Sequence, residues 1–400
     1  MTSVPISPPQ RPANYSPTIN GFRGICVAMV FLHHVGNSGL PPVADPASFW
    51  QTFAHASFMS FRYGVELFFM ISGYVILNSL RRHATIGGFL RDRVLRIFPV
   101  WLPVAVLLVI ASTAVARHGF EVAPLSRWLV VSVANVLLIP PLWPMQLAHP
   151  ASWSLTYEWV FYLASALAAF LWRRPGTQVL AKVAWGVGVV ALIVCFPRAL
   201  YFLPGVLVAL APQWVRGVQR APALAYVSLP LFLWAWYSTD IQYAEYDKPL
   251  WAFIQAGHGA GVVVAFLAAT HLFASVVAPR PRGLGVLCTR AVQHLGTISY
   301  SFYLVHPLVM SAVKFVLLKL MPQAHGSWTA TLVFTLVSAP IAWALSYASW
   351  LWLEQRLARW LKSKGPDAKR ASAHGAGAVP ASASRESVAI PDADRAGAGL

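Results

Sequence analysis

Runs of apolar residues separated by short polar stretches fill the chain from residue 20 to residue 353. A helix needs about 20 apolar residues to cross a bilayer, and about eleven runs come near that length. They lie at 20–37, 63–80, 95–116, 128–145, 152–172, 179–197, 200–213, 223–238, 250–277, 292–318 and 328–353. The pattern predicts an all-α polytopic membrane protein.

Polar or low-complexity sequence flanks these runs at both ends. The first residues are polar and rich in proline, and the last are rich in Ala, Gly, Ser and charge. Segments of this composition do not bury enough apolar surface to fold alone. We therefore expect a disordered cytoplasmic leader at 1–19, a transmembrane domain at 20–361 and a disordered cytoplasmic tail at 362–400.

The basic residues fix the expected topology, because they concentrate in cytoplasmic loops. If every run crossed, the pair Arg173–Arg174 would lie outside and all later loops would be inverted. The conflict disappears if 128–145 does not cross. This run contains Pro140-Pro141 and Pro144, which suit a re-entrant segment buried in protein. The prediction is a bundle of about ten transmembrane helices plus one re-entrant segment, with both termini in the cytoplasm.

Composition agrees with a membrane protein and excludes other classes. The chain is 57% hydrophobic and 11% charged, whereas a soluble domain carries about 25% charged residues. The net charge of +17 is attributed to cytoplasmic loops, since no basic stretch is interleaved with stacking aromatics as nucleic-acid binding requires. Cysteine spacing predicts no metal site, and no feature predicts an oligomeric state.

Ionisable residues inside apolar runs are functional candidates, because they are costly to place in a bilayer. Arg23 and His34 are eleven residues apart, so they share one face of the first helix at a separation of about 16 Å. His34 is a natural proton acceptor near neutral pH. The alternative is a polar pair that packs the bundle interior. His33 lies on a different face.

Two carboxylates, Glu66 and Glu158, lie at or within the edges of apolar runs. In the expected topology both lie at the depth of His34, where either would orient the imidazole. The alternative is a carboxylate that only satisfies backbone donors at a helix start. Tyr162 follows Glu158 at i+4 and should lie directly above it on the same helix.

Two further groups of polar residues occur on single helix faces. Arg93 and Arg96, at i and i+3, would either bind phosphate bidentately or only anchor the helix at the cytoplasmic surface. Ser299, Tyr303 and His306 share a face in a later run. They predict a polar cavity that contacts substrate, although a structural histidine fits the same pattern.

Five motifs in this order and spacing resemble those of the acyltransferase-3 family of integral membrane acyltransferases. They are Arg-x10-His at Arg23 and His34, Phe-Phe-x-x-Ser-Gly-Tyr at 68–74, Arg-x-x-Arg at Arg93 and Arg96, Trp-Ser-Leu-x-x-Glu at 153–158, and Ile-Ser-Tyr-Ser-x-Tyr-Leu-x-His-Pro at 298–307. Residues 201–205 also resemble the family's Phe-x-x-Gly segment. The family usually has Asp where Glu66 stands, and often a second Glu where Trp159 stands.

The resemblance implies a fold of roughly ten helices and the transfer of an acetyl or other short acyl group from acetyl-CoA. The implied acceptor is a hydroxyl of a cell-surface or lipid-linked glycan, with lipopolysaccharide, exopolysaccharide, peptidoglycan and small glycosides all left open. It implies catalytic roles for His34 and Glu158, and donor binding by Arg93 and Arg96. We expect the protein among the lipids of a bacterial inner (plasma) membrane.

The resulting hypothesis is a membrane O-acyltransferase without a metal. His34 takes the proton of the acceptor hydroxyl, Glu158 or Glu66 orients the imidazole, and Arg23 or a tyrosine stabilises the oxyanion. A covalent acyl-histidine step is the alternative route. Tyr162, Tyr303 and His306 are the expected substrate contacts. The competing hypothesis is a proton-coupled transporter, which would also bury His, Glu and Arg but would favour inverted repeats that the sequence lacks.

Overall fold

The structure is a computed structural model that describes residues 16–114, 124–143, 145, 147–176, 178–218, 224–240, 248–278 and 284–364. Every regular element in these ranges is helical, which confirms the predicted all-α class. The helical part begins at Pro17 and ends at Ser363, inside the predicted leader and tail respectively. The predicted disorder of residues 1–15 and 365–400 lies outside the described residues.

The chain divides into two compact units after Ala358, and the features below belong to the first unit. Its α-helices are α1 (Pro17–Gly36), α2 (Phe49–Ser60), α3 (Gly64–Arg82), α4 (Ile86–Ala114), α5 (Leu125–Val136), α6 (Ser152–Arg173), α7 (Val179–Cys195), α8 (Phe202–Leu210), α9 (Pro212–Val218), α10 (Leu224–Asp240), α11 (Leu250–Gln255), α12 (Gly259–Val277), α13 (Arg290–Thr297), α14 (Ser299–Leu320) and α15 (Trp328–Ser349). Short 3-10 helices cover Phe61–Tyr63, Pro197–Tyr201 and Gly285–Cys288, and a π-helix covers Trp350–Leu357. A last helix, α16, covers Ala358–Ser363.

Seven helical stretches in the described part of the chain are long and apolar enough to cross a membrane. They are Pro17–Gly36, Phe49–Arg82, Ile86–Ala111, Ser152–Arg173, Gly259–Val277, Ser299–Leu320 and Trp328–Ser363. The number becomes eight if α7 and Pro197–Leu210, which are bent by 115°, form one span. The helices support an integral membrane protein, whereas the predicted count of ten spans is not confirmed.

Helix breakers inside the apolar runs explain the lower count. The runs 179–197 and 200–213 meet at Pro197, which ends α7 and allows the bend, because proline cannot continue the hydrogen bonding of a helix. The run 250–277 is divided between α11 and α12 at Gly257, whose φ of 80° is outside the helical region. Hydropathy alone therefore overcounts spans wherever a breaker interrupts an apolar run.

The segment predicted not to cross contains only a short helix. α5 has 12 residues, about 18 Å, and an irregular stretch connects it to α6. Side chains hold this stretch: Trp101 donates to the carbonyl of Val136 at 2.9 Å, and Asn135 accepts from the amide of Ala148 at 2.8 Å. Irregular backbone at membrane depth requires such partners. The absence of a spanning helix in this described segment agrees with the prediction, and its re-entrant placement stays a prediction.

Close helix contacts fix the elements that carry the polar residues. α3 and α8 cross where a Cβ on Gly73 would collide with the carbonyl of Phe202, and one on Gly205 with the carbonyl of Met70. Small residues of this kind let two membrane helices approach closely. α1 is fixed at its start, where Asn20 donates to the carbonyl of Gln293 at 2.8 Å. The helices bearing Arg23, Ser72 and His34 therefore have a defined register.

Candidate active site

The polar side chains of the helix bundle gather at two levels along α1. The first group, here the arginine cluster, consists of Arg23, Arg93, Arg96, Glu158, Tyr162 and Glu354. The second, here the imidazole cluster, consists of His33, His34, His149 and His306. Arg23 of the first group and His34 of the second both lie on α1, and eleven residues place them about 16 Å apart along the helix.

A cavity of about 60 Å3 lies among α1, α3, α4, α6 and α14 and adjoins the arginine cluster. Its polar lining consists of Arg23, Ser72, Arg96, Ser154, Glu158, Ser299, Tyr300 and Tyr303. Such a volume holds a few water molecules but no acyl donor. Substrate binding at this position therefore requires the helices or side chains around the cavity to move.

Glu158 is held between α3 and α6. Its Oε1 atom accepts a hydrogen bond from Ser72 at 2.8 Å and another from the hydroxyl of Tyr162. The predicted i, i+4 relation between Glu158 and Tyr162 is therefore present. The carboxylate also lies near Arg96 and Arg93, whose charges it offsets. The hydrogen bonds of Glu158 place it in the arginine cluster and not against an imidazole.

Arg93 is buried with only part of its hydrogen-bonding capacity used. The side chain is 8% exposed, its Nη2 atom donates to Ser79 at 3.3 Å, and the guanidinium lies over the rings of Phe89 and Tyr162. Its Nε and Nη1 atoms have no hydrogen-bond partner in the described part of the chain. Buried donors without acceptors are costly, and a bound anion would satisfy both.

Arg96 and Arg23 face the cavity. Arg96 is exposed and lines the cavity together with Arg23. The electrostatic neighbours of Arg23 are Arg96, Glu354 and Glu158. Because His34 lies about 16 Å further along α1, the position of Arg23 suits anion binding better than stabilisation of an oxyanion beside His34.

Glu354 belongs to the arginine cluster but was not among the sequence candidates. Its Oε1 atom accepts from the amide of Ser301 at 3.1 Å and from the Ser301 hydroxyl at 2.6 Å, and the carboxylate neighbours Arg23 and Arg96. Basic residues follow it closely, and a carboxylate in such surroundings is ordinarily solvated at the membrane surface. The apolar residues on either side, Trp350–Leu353 and Leu357, are the signal that the helix continues. Its π-helical setting is frequent at functional sites.

His34 contacts two other imidazoles. Its ring centroid lies 5.3 Å from that of His33 and 5.2 Å from that of His306. Within the described residues it forms no hydrogen bond with a carboxylate. His306 is 0% exposed and donates from Nδ1 to the carbonyl of Phe302 at 2.8 Å. It does not line the cavity, so the predicted direct contact between His306 and substrate has no support in its position.

Glu66 is held in a buried ion pair. It is 0% exposed and forms an ion pair with Arg198 at 2.7 Å, and Trp236 Nε1 donates to the same oxygen at 3.4 Å. Sequence reasoning missed Arg198, although an isolated arginine between two apolar runs is a signal for a buried partner. A buried carboxylate of this kind depends on its cation, because removing either partner leaves an uncompensated charge.

Tyr303 and His149 join the start of α6 to α14. The Tyr303 hydroxyl lies 2.8 Å from Ser154 Oγ and donates to the carbonyl of Ala151 at 3.2 Å. His149, also missed from the sequence, donates from Nε2 to the carbonyl of Leu304 at 3.0 Å and accepts at Nδ1 from the amide of Ala151 at 2.9 Å. Burial lowers the pKa of His149 to about 4, so the ring is neutral at physiological pH.

Among the described residues, no group of three or more metal-ligating side chains is arranged to hold a metal ion. The functional groups of the two polar clusters are cations, carboxylates, hydroxyls and neutral imidazoles. These groups can bind an anion at one level of the bundle and accept a proton at the other.

Comparison with known proteins identifies a family. The acyltransferase-3 family model, described as an acyltransferase domain, matches residues 17–347. The chain is 26% identical over 318 residues to nodulation protein 10 of Rhizobium leguminosarum bv. viciae, covering 70% of this chain and 80% of that protein. It is 24% identical over 330 residues to the acyltransferase MdmB of Streptomyces mycarofaciens, covering 74% and 79%.

A third relative is the exopolysaccharide production protein ExoZ of Rhizobium meliloti (strain 1021), which is 28% identical over 181 residues, covering 40% of this chain and 53% of that protein. No solved structure gives a significant match. The family match includes every member of the two polar clusters except Glu354, which favours an enzyme over a transporter. The chain belongs to the acyltransferase-3 family and is an integral membrane acyltransferase.

Proposed function

We propose that this protein transfers an acetyl or other short acyl group from acetyl-CoA to a hydroxyl of a cell-surface or lipid-linked glycan. One observation carries the proposal: Arg23, from a cluster suited to anions, and His34, from a cluster suited to proton transfer, lie on the same helix about 16 Å apart. An elongated donor with phosphates at one end and a thioester at the other matches that arrangement. The relative named for exopolysaccharide production supports a glycan as acceptor.

The arginine cluster is the proposed donor site. Guanidinium groups bind phosphate through two parallel hydrogen bonds. Arg93 has two buried nitrogen atoms without hydrogen-bond partners, and Arg96 faces the cavity. We assign phosphate binding to this pair with support from Arg23. Glu158 and Glu354 offset part of the positive charge, and Tyr162 fixes Glu158.

The imidazole cluster is the proposed reaction centre. His34 accepts the proton of the acceptor hydroxyl while the hydroxyl oxygen attacks the thioester carbonyl. The C–S bond then breaks, and the coenzyme A thiolate takes up the proton from the imidazolium. The route through an acyl-histidine differs only in that His34 itself is first acylated, and the hydroxyl attacks the acyl-imidazole. Both routes leave an ester on the glycan and free coenzyme A.

The donor site faces the cytosol in this proposal, because coenzyme A is made there. That orientation agrees with the expected cytoplasmic termini and with placement in a bacterial inner membrane. The small cavity of about 60 Å3 must then widen as the donor enters between α1, α4 and α6. Such opening is a common accompaniment of substrate binding.

The test is label transfer by the purified protein in liposomes that contain glycolipids of the native host. Radiolabelled acetyl-CoA is supplied to the wild type, to the Arg93→Ala/Arg96→Ala protein and to an Arg127→Ala control, since Arg127 is exposed on α5. We expect label on glycan for the wild type and the control. The double variant should need at least about 100-fold more donor, because it loses charge-assisted hydrogen bonds. Transfer by the double variant with an unchanged KM for acetyl-CoA would contradict the assigned donor site.

A further inference from the structure

The proposed base, His34, has an unusual environment for a proton acceptor. A catalytic imidazole is normally oriented by a second group that accepts a hydrogen bond from its other nitrogen, often a carboxylate. Glu66 is engaged by Arg198, and Glu158 is engaged by Ser72 and Tyr162. His34 itself makes no hydrogen bond with any described residue. Another group must therefore hold its ring.

His306 has the hydrogen-bonding capacity that His34 requires. A carbonyl oxygen can only accept, so the bond to Phe302 requires a proton on His306 Nδ1. The ring is 0% exposed, and a buried imidazolium without a counter-ion would be costly, so the neutral form is favoured. In that tautomer His306 Nε2 carries a lone pair. This atom is buried and has no hydrogen-bond partner in the described part of the chain.

The two rings are close enough to interact through one nitrogen each. Their centroids are 5.2 Å apart with an interplanar angle of 45°. At this centroid distance, a rotamer of His34 that directs its N–H at His306 Nε2 allows an N–H···N hydrogen bond between the rings. His306 is less free to move, because Phe302 stacks on it at 5.5 Å and Phe31 meets its edge at 6.2 Å.

The other imidazoles of the cluster are already engaged. His33 Nδ1 lies 3.1 Å from the carbonyl of Phe58, and both nitrogens of His149 are hydrogen bonded to backbone groups. Tyr303, whose ring centroid lies 6.3 Å from that of His306, forms its hydrogen bonds with Ser154 and Ala151. Among the described histidines of the cluster, only His306 combines a fixed tautomer with a buried nitrogen that lacks a hydrogen-bond partner.

We infer that His306 is a positioning residue that orients His34 through a histidine–histidine hydrogen bond, with Nε2 of His306 as the acceptor. The inference rests on the proposed use of His34 as the base. One nitrogen of His34 donates to His306, and its other nitrogen faces the acceptor hydroxyl and takes its proton. The resulting imidazolium keeps its bond to His306 until it returns the proton to the departing thiolate. A neutral imidazole here takes the role that a carboxylate has in many enzymes.

The experiment compares variants at position 306 in liposomes by their steady-state acyl transfer. His306→Leu removes the acceptor and keeps an apolar filler, whereas His306→Gln supplies a neutral oxygen acceptor at a similar reach. His271→Leu is the matched control, since His271 is an imidazole of α12 bonded to Ser228. Thermal unfolding of each protein establishes that it is folded.

The expected result for His306→Leu is a loss of about 100-fold in kcat, while KM for donor and acceptor stays within about twofold. His306→Gln should recover at least about tenfold of that loss, and His271→Leu should retain wild-type kcat. A folded His306→Leu protein with wild-type kcat would overturn the inference. A folded His306→Gln protein as slow as His306→Leu would also overturn the inference. If His306→Leu is unstable, the kcat of His306→Gln is compared with that of the wild type, and a loss of about 100-fold would overturn the inference.

These outcomes are distinct from failure of the proposed function. If wild type turns over acetyl-CoA and His34→Ala does not, while His306 variants behave as wild type, only the positioning role falls. If wild type shows no acyl transfer to any glycan, the proposed function falls and the positioning role with it.

Discussion

Replacing Arg93 by methionine should have a small effect on the stability of the free protein and a large effect on donor binding. Methionine keeps most of the volume and removes the charge. In the free protein Arg93 makes one hydrogen bond, to Ser79, and two cation–π contacts, to Phe89 and Tyr162, whereas two of its nitrogens are buried without partners. The favourable contacts contribute roughly 2–3 kcal/mol. The two unsatisfied atoms cost roughly the same, so the substitution should change the free energy of unfolding by no more than about 1 kcal/mol.

Donor binding should respond much more strongly. If the two nitrogens bind a phosphate, their loss removes charge-assisted hydrogen bonds worth about 3 kcal/mol, which is about 100-fold in Kd. At a coenzyme A concentration of 100 times the wild-type Kd, ligand binding stabilises the wild type by about 2.7 kcal/mol. At the same concentration, a variant with a 100-fold weaker Kd gains only about 0.4 kcal/mol.

The assay is thermal unfolding in detergent, with and without coenzyme A, for wild type, Arg93→Met and the exposed-arginine control Arg127→Ala. The wild type and the control should share the full increase in Tm, and Arg93→Met should lose most of it. An Arg93→Met protein that keeps the full increase would refute the reasoning about the buried nitrogens. A large loss of stability without coenzyme A would show that Arg93 serves the fold.

Three further predictions concern the fold around the site. Glu66→Gln should lower the free energy of unfolding by about 3–5 kcal/mol, because it leaves the charge of Arg198 without its partner. The double change Glu66→Leu/Arg198→Met should recover most of that stability in thermal unfolding. Equal losses of stability in the single and the double variant would contradict a coupled pair. Gly205→Ala should lower the free energy of unfolding by about 1–3 kcal/mol, because the new methyl group meets the carbonyl of Met70. Gly186→Ala, whose methyl group meets no atom within 4 Å, should be neutral or stabilising. Similar changes in stability for the two variants would refute the helix contact. Burial lowers the pKa of His149 from its ordinary value of 6.5 to about 4 in the folded protein. Between these two pH values the unfolded chain binds a proton that the folded protein does not. The free energy of unfolding should therefore fall by up to roughly 3 kcal/mol as the pH drops from 6.5 to 4. His149→Gln should lose less stability than the wild type between thermal unfolding scans at about pH 7 and about pH 4.5. An equal loss of stability in the two proteins would contradict the lowered pKa of His149.

The sequence predicted the helical membrane class because long apolar runs and few charges leave little choice of fold. It overcounted the spans because hydropathy does not register a bend. Pro197 allows two apolar runs to form a pair bent by 115°, and Gly257 interrupts another. Such breaks depend on local backbone geometry that averaging over a window removes.

Helix periodicity predicted contacts within one helix correctly but not contacts between helices. Tyr162 bonds to Glu158 one turn away, as the i, i+4 spacing indicates. Depth in the membrane was the argument for bringing Glu66 to His34, but depth does not determine which neighbour a side chain faces. Glu66 faces Arg198.

The residues that sequence reasoning missed share a cause. Glu354 and His149 lie at the ends of apolar runs, where charged and polar residues are ordinarily solvated. Their burial follows from tertiary packing: Ser301 of α14 binds Glu354, and the backbone of Leu304 binds His149. No spacing rule within the flanking segments contains this information.

In the proposed mechanism, transfer of an acyl group from coenzyme A to a glycan requires His34, either as the base or as the group that is first acylated. The most direct test measures thioester turnover and label on glycolipid for wild type, His34→Ala and His271→Ala in the same liposomes. We expect wild type and His271→Ala to release coenzyme A and label the glycan, and a folded His34→Ala protein to do neither. Full glycan labelling by His34→Ala, or no thioester turnover by wild type while labelled solutes still cross the liposome membrane, would contradict the proposed mechanism.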